Sequence, residues 1–478
     1  YIPRTGDGNY RKRSAQAMAE YVRTSKRLHH IRLCEDSATP HQECSFHEEM
    51  LTCFLPAIQE STSIKELNME LPYQGGSSNL AIKNMLTHTQ SLRSLTLRIP
   101  PRHNDGAALQ SGLKKNTTLR ELTLECSHGA ATISPILTTL RDHPLLRRLC
   151  LRGHVVNLTG LDTVLQSESS KITELDIYRY YGSLPMIGLT RVLRALAQRR
   201  TLTTLGLRHC PLGCDEASVL QTALCTTPSL QSLALTFSYL GSALLAEIAP
   251  ALYHNTSIKA LDISWNEFND MECAVLLRDT IGCNKTVTTL DLSRNNFGLI
   301  IGAVECIADG LGSNSTLLKI DLSDCGFRDD GVSTLAQKLV SRNTTLQKLA
   351  LGRNSITSTG VGMLLESMKQ SSHHITDLDL QRNLIWNEGA SLLARSLGNN
   401  ALPNLKRLCL SECGIGDDGF IALVSALEQN TSLLHLDPIQ YHRYYGESNE
   451  RAYLALAESL PEIKVLQRVE LSWCTGLA

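Results

Sequence analysis

The sequence predicts an α/β solenoid of about sixteen stacked repeats, and two observations lead to this prediction. An apolar phrase of fixed spacing recurs along the 478 residues, and its copies at 317–325, 346–354 and 405–413 all fit L-x-x-L-x-L-x-x-(N/C). The copies follow one another in steps of mostly 26 to 30 residues, as in a solenoid whose repeats stack on their neighbours. The first apolar residue of each copy stands at 28, 64, 92, 119, 146, 172, 202, 230, 258, 287, 317, 346, 375, 405, 433 and 466.

The repeat that begins at Leu317 shows how each element is predicted. Leu317, Ile320 and Leu322 alternate with other residues, which predicts a short parallel strand with its apolar side chains in the core. Cys325 stands eight residues after the first leucine. At this place, called the ladder position below, other copies carry Asn, and we expect the side chain to turn inward and bond the neighbouring turn. Apolar residues from 332 to 339 have helical spacing, and Asn343-Thr-Thr predicts the turn into the next strand.

Repeats of 28 to 29 residues that contain a full helix resemble the ribonuclease-inhibitor type of leucine-rich repeat. That family includes ribonuclease inhibitor, the repeat regions of NACHT-type immune receptors and the GTPase-activating protein for Ran. The resemblance covers about residues 15 to 478 and implies a right-handed α/β horseshoe, with strands on the concave face and helices on the convex face. It implies protein binding, but it does not identify a partner, because one scaffold serves many functions.

The regularity of the repeats predicts two regions of one continuous solenoid. Residues 202–478 form the regular repeats, in which the ladder positions up to 413 hold only Cys, Ser and Asn. Residues 1–201 form an N-terminal flank with degenerate repeats, where Pro72 and Pro100 occupy the ladder position and cannot donate a backbone hydrogen. Either capping of the array or a partner surface explains this degeneracy.

Composition and charge argue against several classes of function. The chain has 46 basic and 47 acidic residues, so it lacks the basic surplus of a nucleic-acid binder. It has no apolar run of about 18 residues, which predicts no membrane span. A phosphate-binding G-x-x-x-x-G-K-[ST] motif is absent, and no Cys/His spacing fits a familiar zinc site, so we expect no cofactor and no metal.

The cysteines and the glycosylation-like motifs bear on the compartment. Several of the fifteen cysteines fall on strands or at ladder positions, which predicts reduced thiols in the cytoplasm or, alternatively, the nucleus. Six of the seven N-x-S/T motifs stand just before a strand, where Asn and Thr favour turns, so a structural role is expected instead of glycosylation. The chain begins at Tyr1 without an initiator Met, and we expect it to be a piece of a longer protein.

The strand residues that face away from the helices supply the candidate site. Asp262, Asp291 and Asp321 occupy equivalent positions on three consecutive strands and should form an acidic row that spans roughly 10 Å. Carboxylates at Asp379, Glu174 and Asp176 extend the face, and Trp265 follows one of its strands. We interpret this surface as a seat for a basic protein; the alternative is that L-D-L-S is simply the usual wording of such repeats.

Two long turns, at 178–182 and 441–446, share a tyrosine-rich sequence. Tyr178, Arg179, Tyr441 and Arg443 are predicted to anchor a partner at the rim, because exposed Tyr and Arg often dominate interfaces. The alternative is that the tyrosines pack over the gap left by a missing ladder residue.

Together these features predict a non-enzymatic scaffold that binds a protein, either a basic surface or a subunit of a larger complex. An open sheet lacks the water-excluding pocket that acid–base catalysis needs. Two alternatives stay open: a GTPase activator that uses an edge arginine such as Arg294, Arg353 or Arg382, and the sensing repeat region of a larger immune-type receptor.

Overall fold

A computed structural model describes residues 8–33, 44–71, 77–100, 106–126, 133–154, 157–180, 186–340, 342–370, 374–437 and 450–469. The chain divides into two compact units, Tyr1–Leu235 and Thr236–Ala478. A strand begins two residues after each of the sixteen predicted first apolar residues, so the predicted α/β leucine-rich repeat solenoid is confirmed. The separate prediction of a change in regularity at residue 201 stays a prediction.

The first unit contains eight repeats. Its strands are β1 His30–Leu33, β2 Glu66–Glu70, β3 Ser94–Ile99, β4 Glu121–Cys126, β5 Arg148–Gly153, β6 Glu174–Arg179, β7 Thr204–Arg208 and β8 Ser232–Ala234. Its helices are α1 Gly8–Thr24, α2 Cys44–Glu60, α3 Ser77–His88, α4 Gly106–Lys115, α5 Ile133–Thr139, α6 Leu161–Gln166, α7 Leu189–Ala197 and α8 Cys214–Thr226.

The second unit contains the remaining repeats. Its strands are β9 Ala260–Asp262, β10 Thr289–Asp291, β11 Lys319–Asp321, β12 Lys348–Ala350, β13 Asp377–Asp379, β14 Arg407–Cys409, β15 His435–Asp437 and β16 Arg468–Val469. Its helices are α9 Gly241–His254, α10 Met271–Cys283, α11 Ala303–Ser313, α12 Arg328–Leu335, α13 Ser358–Gln370, α14 Trp386–Gly398, α15 Asp417–Gln429 and α16 Glu450–Ser459. A π-helical segment, Ala336–Val340, follows α12.

Within each unit the strands are parallel, and every strand pairs with the next one in sequence. The repeat pattern sets the register, because Leu290 lies opposite Leu261 on one side and Ile320 on the other. These apolar side chains are buried against the helices, while the residues between them lie on the uncovered side of the sheet. We call that side the open face.

The ladder position behaves as predicted and connects neighbouring repeats. The buried Asn295 Oδ1 accepts from the Asn266 N–H at 2.9 Å, and its Nδ2 donates to the carbonyls of Ile263 and Leu292. Where Cys325 replaces Asn, its thiol contacts the Leu292 carbonyl at 3.4 Å. Each such side chain satisfies buried backbone groups that the strand-exit turn would otherwise leave unpaired.

A second polar ladder runs along the turns from helix to strand and explains the N-x-S/T motifs. The buried Asn314 accepts from the N–H groups of Thr316 and Leu317, and its Nδ2 donates to the carbonyls of Ile281 and Asn284. Asn116, Asn284, Asn343 and Asn430 make the same kind of contacts. The structural role expected for these motifs is therefore confirmed at these positions.

In the first unit this second ladder is built from more varied residues. His143 occupies the position that Asn holds in other repeats, and its Nδ1 accepts from the Leu146 N–H at 3.1 Å. Burial lowers the pKa of His143 to about 4. Arg199 fills the corresponding place later in the unit and donates to the carbonyls of Leu165, Ser170 and Ile172. The degenerate repeats therefore still provide hydrogen-bond partners for the backbone groups at these turns.

Candidate functional site

The acidic row, defined as Asp262, Asp291 and Asp321, lies on the open face of the second unit. The strand register places Asp291 opposite both Asp262 and Asp321, as the repeat spacing predicts. All three side chains are half-buried.

Each carboxylate of the row also stabilises the end of its own strand. Asp291 Oδ1 accepts from the Ser293 N–H at 2.9 Å and from the Ser293 hydroxyl at 2.7 Å. Asp262 binds Ser264 in the same way, and Asp321 accepts from the Ser323 N–H at 2.8 Å. The aspartate of the L-D-L-S motif therefore has a structural role as a hydrogen-bond acceptor for the strand-exit turn, in addition to carrying a charge.

Two members of the row form no ion pair with a described residue. In the part of the chain that the structure describes, no Lys or Arg lies within ion-pair distance of Asp291 or Asp321. By contrast, Lys348 Nζ lies 2.7 Å from Asp377, and Arg407 Nη2 lies 2.7 Å from Asp437.

This environment disfavours the ionised form of Asp291. Burial raises the pKa of Asp291, and the negative charges of Asp321 and Asp262 raise it further. Burial likewise raises the pKa of Asp379, whose Oδ1 accepts from the Gln381 N–H at 2.9 Å. A positive group on a partner would relieve this electrostatic cost.

An aromatic edge borders the acidic row where the strands end. Trp265 is 38% exposed, its ring centroid lies 4.7 Å from that of Phe237, and Phe237 lies 4.9 Å from Tyr239. The guanidinium of Arg294 sits over the Trp265 ring at 4.6 Å. A half-exposed Trp held between an aromatic ring and an arginine is preorganised for contact with a partner.

Backbone conformation explains why these side chains project at the edge. In the second unit the residue before the ladder position has a positive φ in seven successive repeats: Phe237, Trp265, Arg294, Asp324, Arg353, Arg382 and Glu412. This left-handed conformation costs about 1–2 kcal/mol for each non-glycine residue, and the ladder hydrogen bonds offset that cost. The edge is therefore held by the fold, while the identity of its side chains is free to vary.

The carboxylates predicted in the first unit lie beside arginines of the same unit. Asp176 Oδ1 lies 3.4 Å from Arg208 Nε, and Glu174 lies 3.8 Å from Arg148 Nε. Gly206 makes room for Asp176, because a Cβ there would lie 2.1 Å from its Oδ1. These two carboxylates already have ion-pair partners, whereas Asp291 and Asp321 form no ion pair with any described residue.

The predicted tyrosine-rich rim differs from expectation where the structure describes it. Tyr178 is half-buried, with its ring 5.1 Å from His209 and 5.5 Å from Tyr180. Arg179 is 4% exposed and its Nε donates to the His154 carbonyl at 3.2 Å, so it is not the exposed anchor that we expected. Tyr441 and Arg443 lie outside the described residues.

The three edge arginines have different environments. Arg294 stacks on Trp265, and Arg382 pairs with Glu412 at 2.6 Å. The Arg353 guanidinium forms no ion pair with another described residue and lines a surface groove of about 610 Å³. The groove is lined by Asp324, Arg353, Ser355, Arg382, Asn383, Leu384, Trp386, Glu412 and Gly414.

One exposed apolar feature was missed by the sequence reasoning. Leu299 is 66% exposed and Ile301 is 98% exposed, on the turn between β10 and α11. The sequence feature that could have revealed it is Gly298-Leu-Ile-Ile-Gly302, because most later repeats carry charged or polar residues at this place.

The described residues also bear on metal binding and on membrane insertion. Over those ranges, no three His, Cys, Asp or Glu side chains group closely enough to hold a metal ion. None of the helices there combines the length and apolar character needed to cross a membrane.

Comparison with known proteins agrees with this architecture. A family model described as "Leucine Rich repeat" matches residues 254–270, 283–300, 313–336, 342–365, 371–394 and 401–424. Ribonuclease inhibitor from Sus scrofa is 28% identical over 221 residues, which are 45% of this chain and 48% of that protein.

Two receptors give similar matches. NACHT, LRR and PYD domains-containing protein 13 from Homo sapiens is 26% identical, and protein 12 from Mus musculus is 27% identical. Each match covers 46% of this chain and 21% of the receptor. The aligned region thus spans about half of ribonuclease inhibitor and about a fifth of each receptor.

A solved structure, the tropomodulin C-terminal domain of Caenorhabditis elegans, matches 34% of this chain and 93% of its own chain. The identity is 15% and the TM-score is 0.26. The repeat geometry and the family-model matches show that this chain is built from leucine-rich repeats. Its repeats are like those of ribonuclease inhibitor and of the NACHT-type receptors, as the sequence predicts.

Proposed function

We propose that this chain is a non-enzymatic scaffold that binds a basic protein surface on the open face of its second unit. The observation that carries the proposal is the acidic row. Asp291 and Asp321 lie opposite each other on neighbouring strands, and neither forms an ion pair with a described Lys or Arg. The raised pKa of Asp291 supports it, because a partner's Lys or Arg would stabilise the ionised carboxylate. The aromatic edge at Trp265 adds a hydrophobic anchor next to the row.

The names of the relatives are consistent with this proposal. One is an inhibitor of ribonuclease, which implies that its repeats bind another protein. Leucine-rich repeats suit such binding, since a stacked solenoid loses little conformational entropy when it associates. A protein partner is therefore the best-supported ligand class for this chain.

The test uses a variant that removes charge while keeping the hydrogen-bond acceptors. In the triple variant Asp262→Asn, Asp291→Asn and Asp321→Asn, each side chain retains an oxygen for its strand-exit turn. Native partners are captured on the wild type and on this variant, and then identified by mass spectrometry. A control variant makes the same charge change on the helices: Glu247→Gln, Glu366→Gln and Asp418→Asn.

We expect the wild type and the control variant to capture a basic protein. The triple Asn variant, called the row variant below, should fail to capture it. Its capture should weaken as salt increases, because screening reduces the attraction between exposed charges. Equal capture by the row variant would overturn the acidic row as the binding surface. Absence of any captured protein from all three forms would overturn the scaffold proposal.

A second candidate, GTPase activation, rests on Arg353 alone among the three edge arginines. Its guanidinium is exposed and has no ion-pair partner among the described residues, as an arginine that enters a partner's active site requires. A panel of small GTPases is assayed for GTP hydrolysis with the wild type and with Arg353→Ala. Acceleration that depends on Arg353 supports this function, and unchanged rates exclude it for the GTPases tested.

A further inference from the structure

The turn between β10 and α11 differs from its neighbours in sequence and in length. The tripeptide after the inward apolar residue is Arg328-Asp-Asp, Thr357-Ser-Thr or Trp386-Asn-Glu in the next three repeats, but Gly298-Leu-Ile here. Phe297 and Gly302 are five positions apart, whereas Phe327 and Gly331 are four apart. We call residues 298–302 the apolar turn.

The apolar turn is held firmly against the next repeat. The Gly298 N–H donates to the Cys325 carbonyl at 2.9 Å, and a Cβ on Gly298 would lie 2.0 Å from the Gly326 oxygen. The Ile300 N–H donates to the Phe297 carbonyl at 3.1 Å. Glycine is required here because the two backbones touch, and the turn is consequently a preorganised platform.

This platform displays apolar side chains that the fold does not use. Ile301 is 98% exposed and Leu299 is 66% exposed. Met271, the first residue of α10, is 39% exposed, and its Sδ lies 3.7 Å from the Cβ position of Gly302. Adjacent exposed apolar side chains on a rigid support are typical of a protein interface.

The charge around the apolar turn selects the chemistry of the partner. The segments at 265–272, 294–302 and 324–330 contain six acidic residues and two arginines. The acidic residues are Glu267, Asp270, Glu272, Asp324, Asp329 and Asp330, and the arginines are Arg294 and Arg328. Contact between two copies of this face would bring like charges together, which disfavours self-association, so the complement is basic.

We propose that the apolar turn docks a basic amphipathic segment of a partner protein, with Ile301 and Leu299 against its apolar stripe. Lysine or arginine side chains beside that stripe face the acidic residues of the neighbouring turns. The proposal rests on the proposed binding function and adds a hydrophobic anchor at a defined turn. The inserted residue and the loss of the polar tripeptide are what separate this repeat from the next three.

The test selects ligands from a displayed library of random peptides about 16 residues long, enough for about four helical turns. Affinities of the enriched peptides are then measured by fluorescence anisotropy. The proteins are the wild type, the double variant Leu299→Ser and Ile301→Ser, the row variant with three Asn substitutions, and Leu80→Ser as a control. Leu80 is 60% exposed on α3, so its substitution makes a similar change in the other unit.

We expect the enriched peptides to combine apolar and basic residues at helical spacing. Their Kd should rise at least about tenfold with the double variant and stay unchanged with Leu80→Ser. Thermal unfolding of the double variant should match the wild type, because the two side chains are exposed.

Other outcomes separate this inference from the proposed function. If affinity falls with the row variant but not with the double variant, the acidic row stands and the apolar-turn inference is wrong. If it falls with the double variant alone, the apolar turn binds and the row does not. Lack of enrichment, or an Ile301-dependent dimer in sedimentation, overturns the inference.

Discussion

Substitution of Asp291 separates the charge of the acidic row from its structural role. The carboxylate accepts two hydrogen bonds from Ser293, at 2.9 Å from the N–H and 2.7 Å from the hydroxyl. Asp291→Ala removes both, and at about 0.5–1.5 kcal/mol for each bond the free energy of unfolding should fall by about 1–3 kcal/mol. Asp291→Asn keeps an acceptor and removes only the charge.

The raised pKa of Asp291 fixes the direction of the pH dependence. Burial, followed by Asp321 and Asp262, places the folded pKa above the ordinary value of 3.8. The folded chain therefore binds this proton more tightly than the unfolded chain. The resulting stabilisation is present below that ordinary value and is lost as the pH rises through the folded pKa. We expect Asp291→Asn to be at least as stable as the wild type at about pH 7.

The assay is urea unfolding, followed by far-UV circular dichroism, of the wild type and both variants from about pH 4 to about pH 7. Wild-type stability should decline with rising pH relative to Asp291→Asn. Asp291→Ala should be less stable than Asp291→Asn throughout. A difference between the wild type and the Asn variant that does not change with pH would contradict the raised pKa of Asp291. An Asn variant as unstable as the Ala variant would contradict the role assigned to its hydrogen bonds.

Three further predictions follow from the repeat geometry. Asn295→Ala should lower the free energy of unfolding by about 2–5 kcal/mol in urea titration, because it leaves buried N–H and carbonyl groups unpaired; a loss below about 0.5 kcal/mol would show that the ladder is dispensable. Leu322→Ala, at a fully buried position directly after β11, should cost about 2–5 kcal/mol in the same assay, and a much smaller loss would contradict its place in the core. Iodoacetamide at about pH 8 should modify the exposed Cys214, Cys225 and Cys283 in the native protein far faster than Cys413, because burial raises the pKa of Cys413 to about 12. Peptide mass spectrometry measures the ratio of the rates, and equal rates would contradict the burial of Cys413.

The sequence predicts most of the fold because the repeat links periodicity directly to position. Counting two residues on from each first apolar residue locates every strand, and the same count places Asp291 between Asp262 and Asp321. The inward ladder at Asn295 also follows from spacing, because the strand-exit turn has backbone groups that need partners.

The site is less predictable because variable positions depend on their neighbours. The burial of Arg179 reflects a local contact with the His154 carbonyl, which no periodicity encodes. The sequence pattern marks Asp262 and its equivalents as outward-facing, but not as acceptors for Ser264 and the following turns. Ile301 is displayed because one inserted residue and Gly298 change a single turn, and such a departure is visible only against the surrounding repeats.

The most direct test of the binding surface is titration calorimetry of a captured basic partner with the wild type and the variant that carries Asn at 262, 291 and 321. We predict that the Kd rises at least about tenfold in the variant, that most of its salt dependence disappears, and that urea unfolding remains as stable as in the wild type. An unchanged Kd with unchanged salt dependence would contradict the proposed role of the acidic row, because the partner would then bind without using its charge.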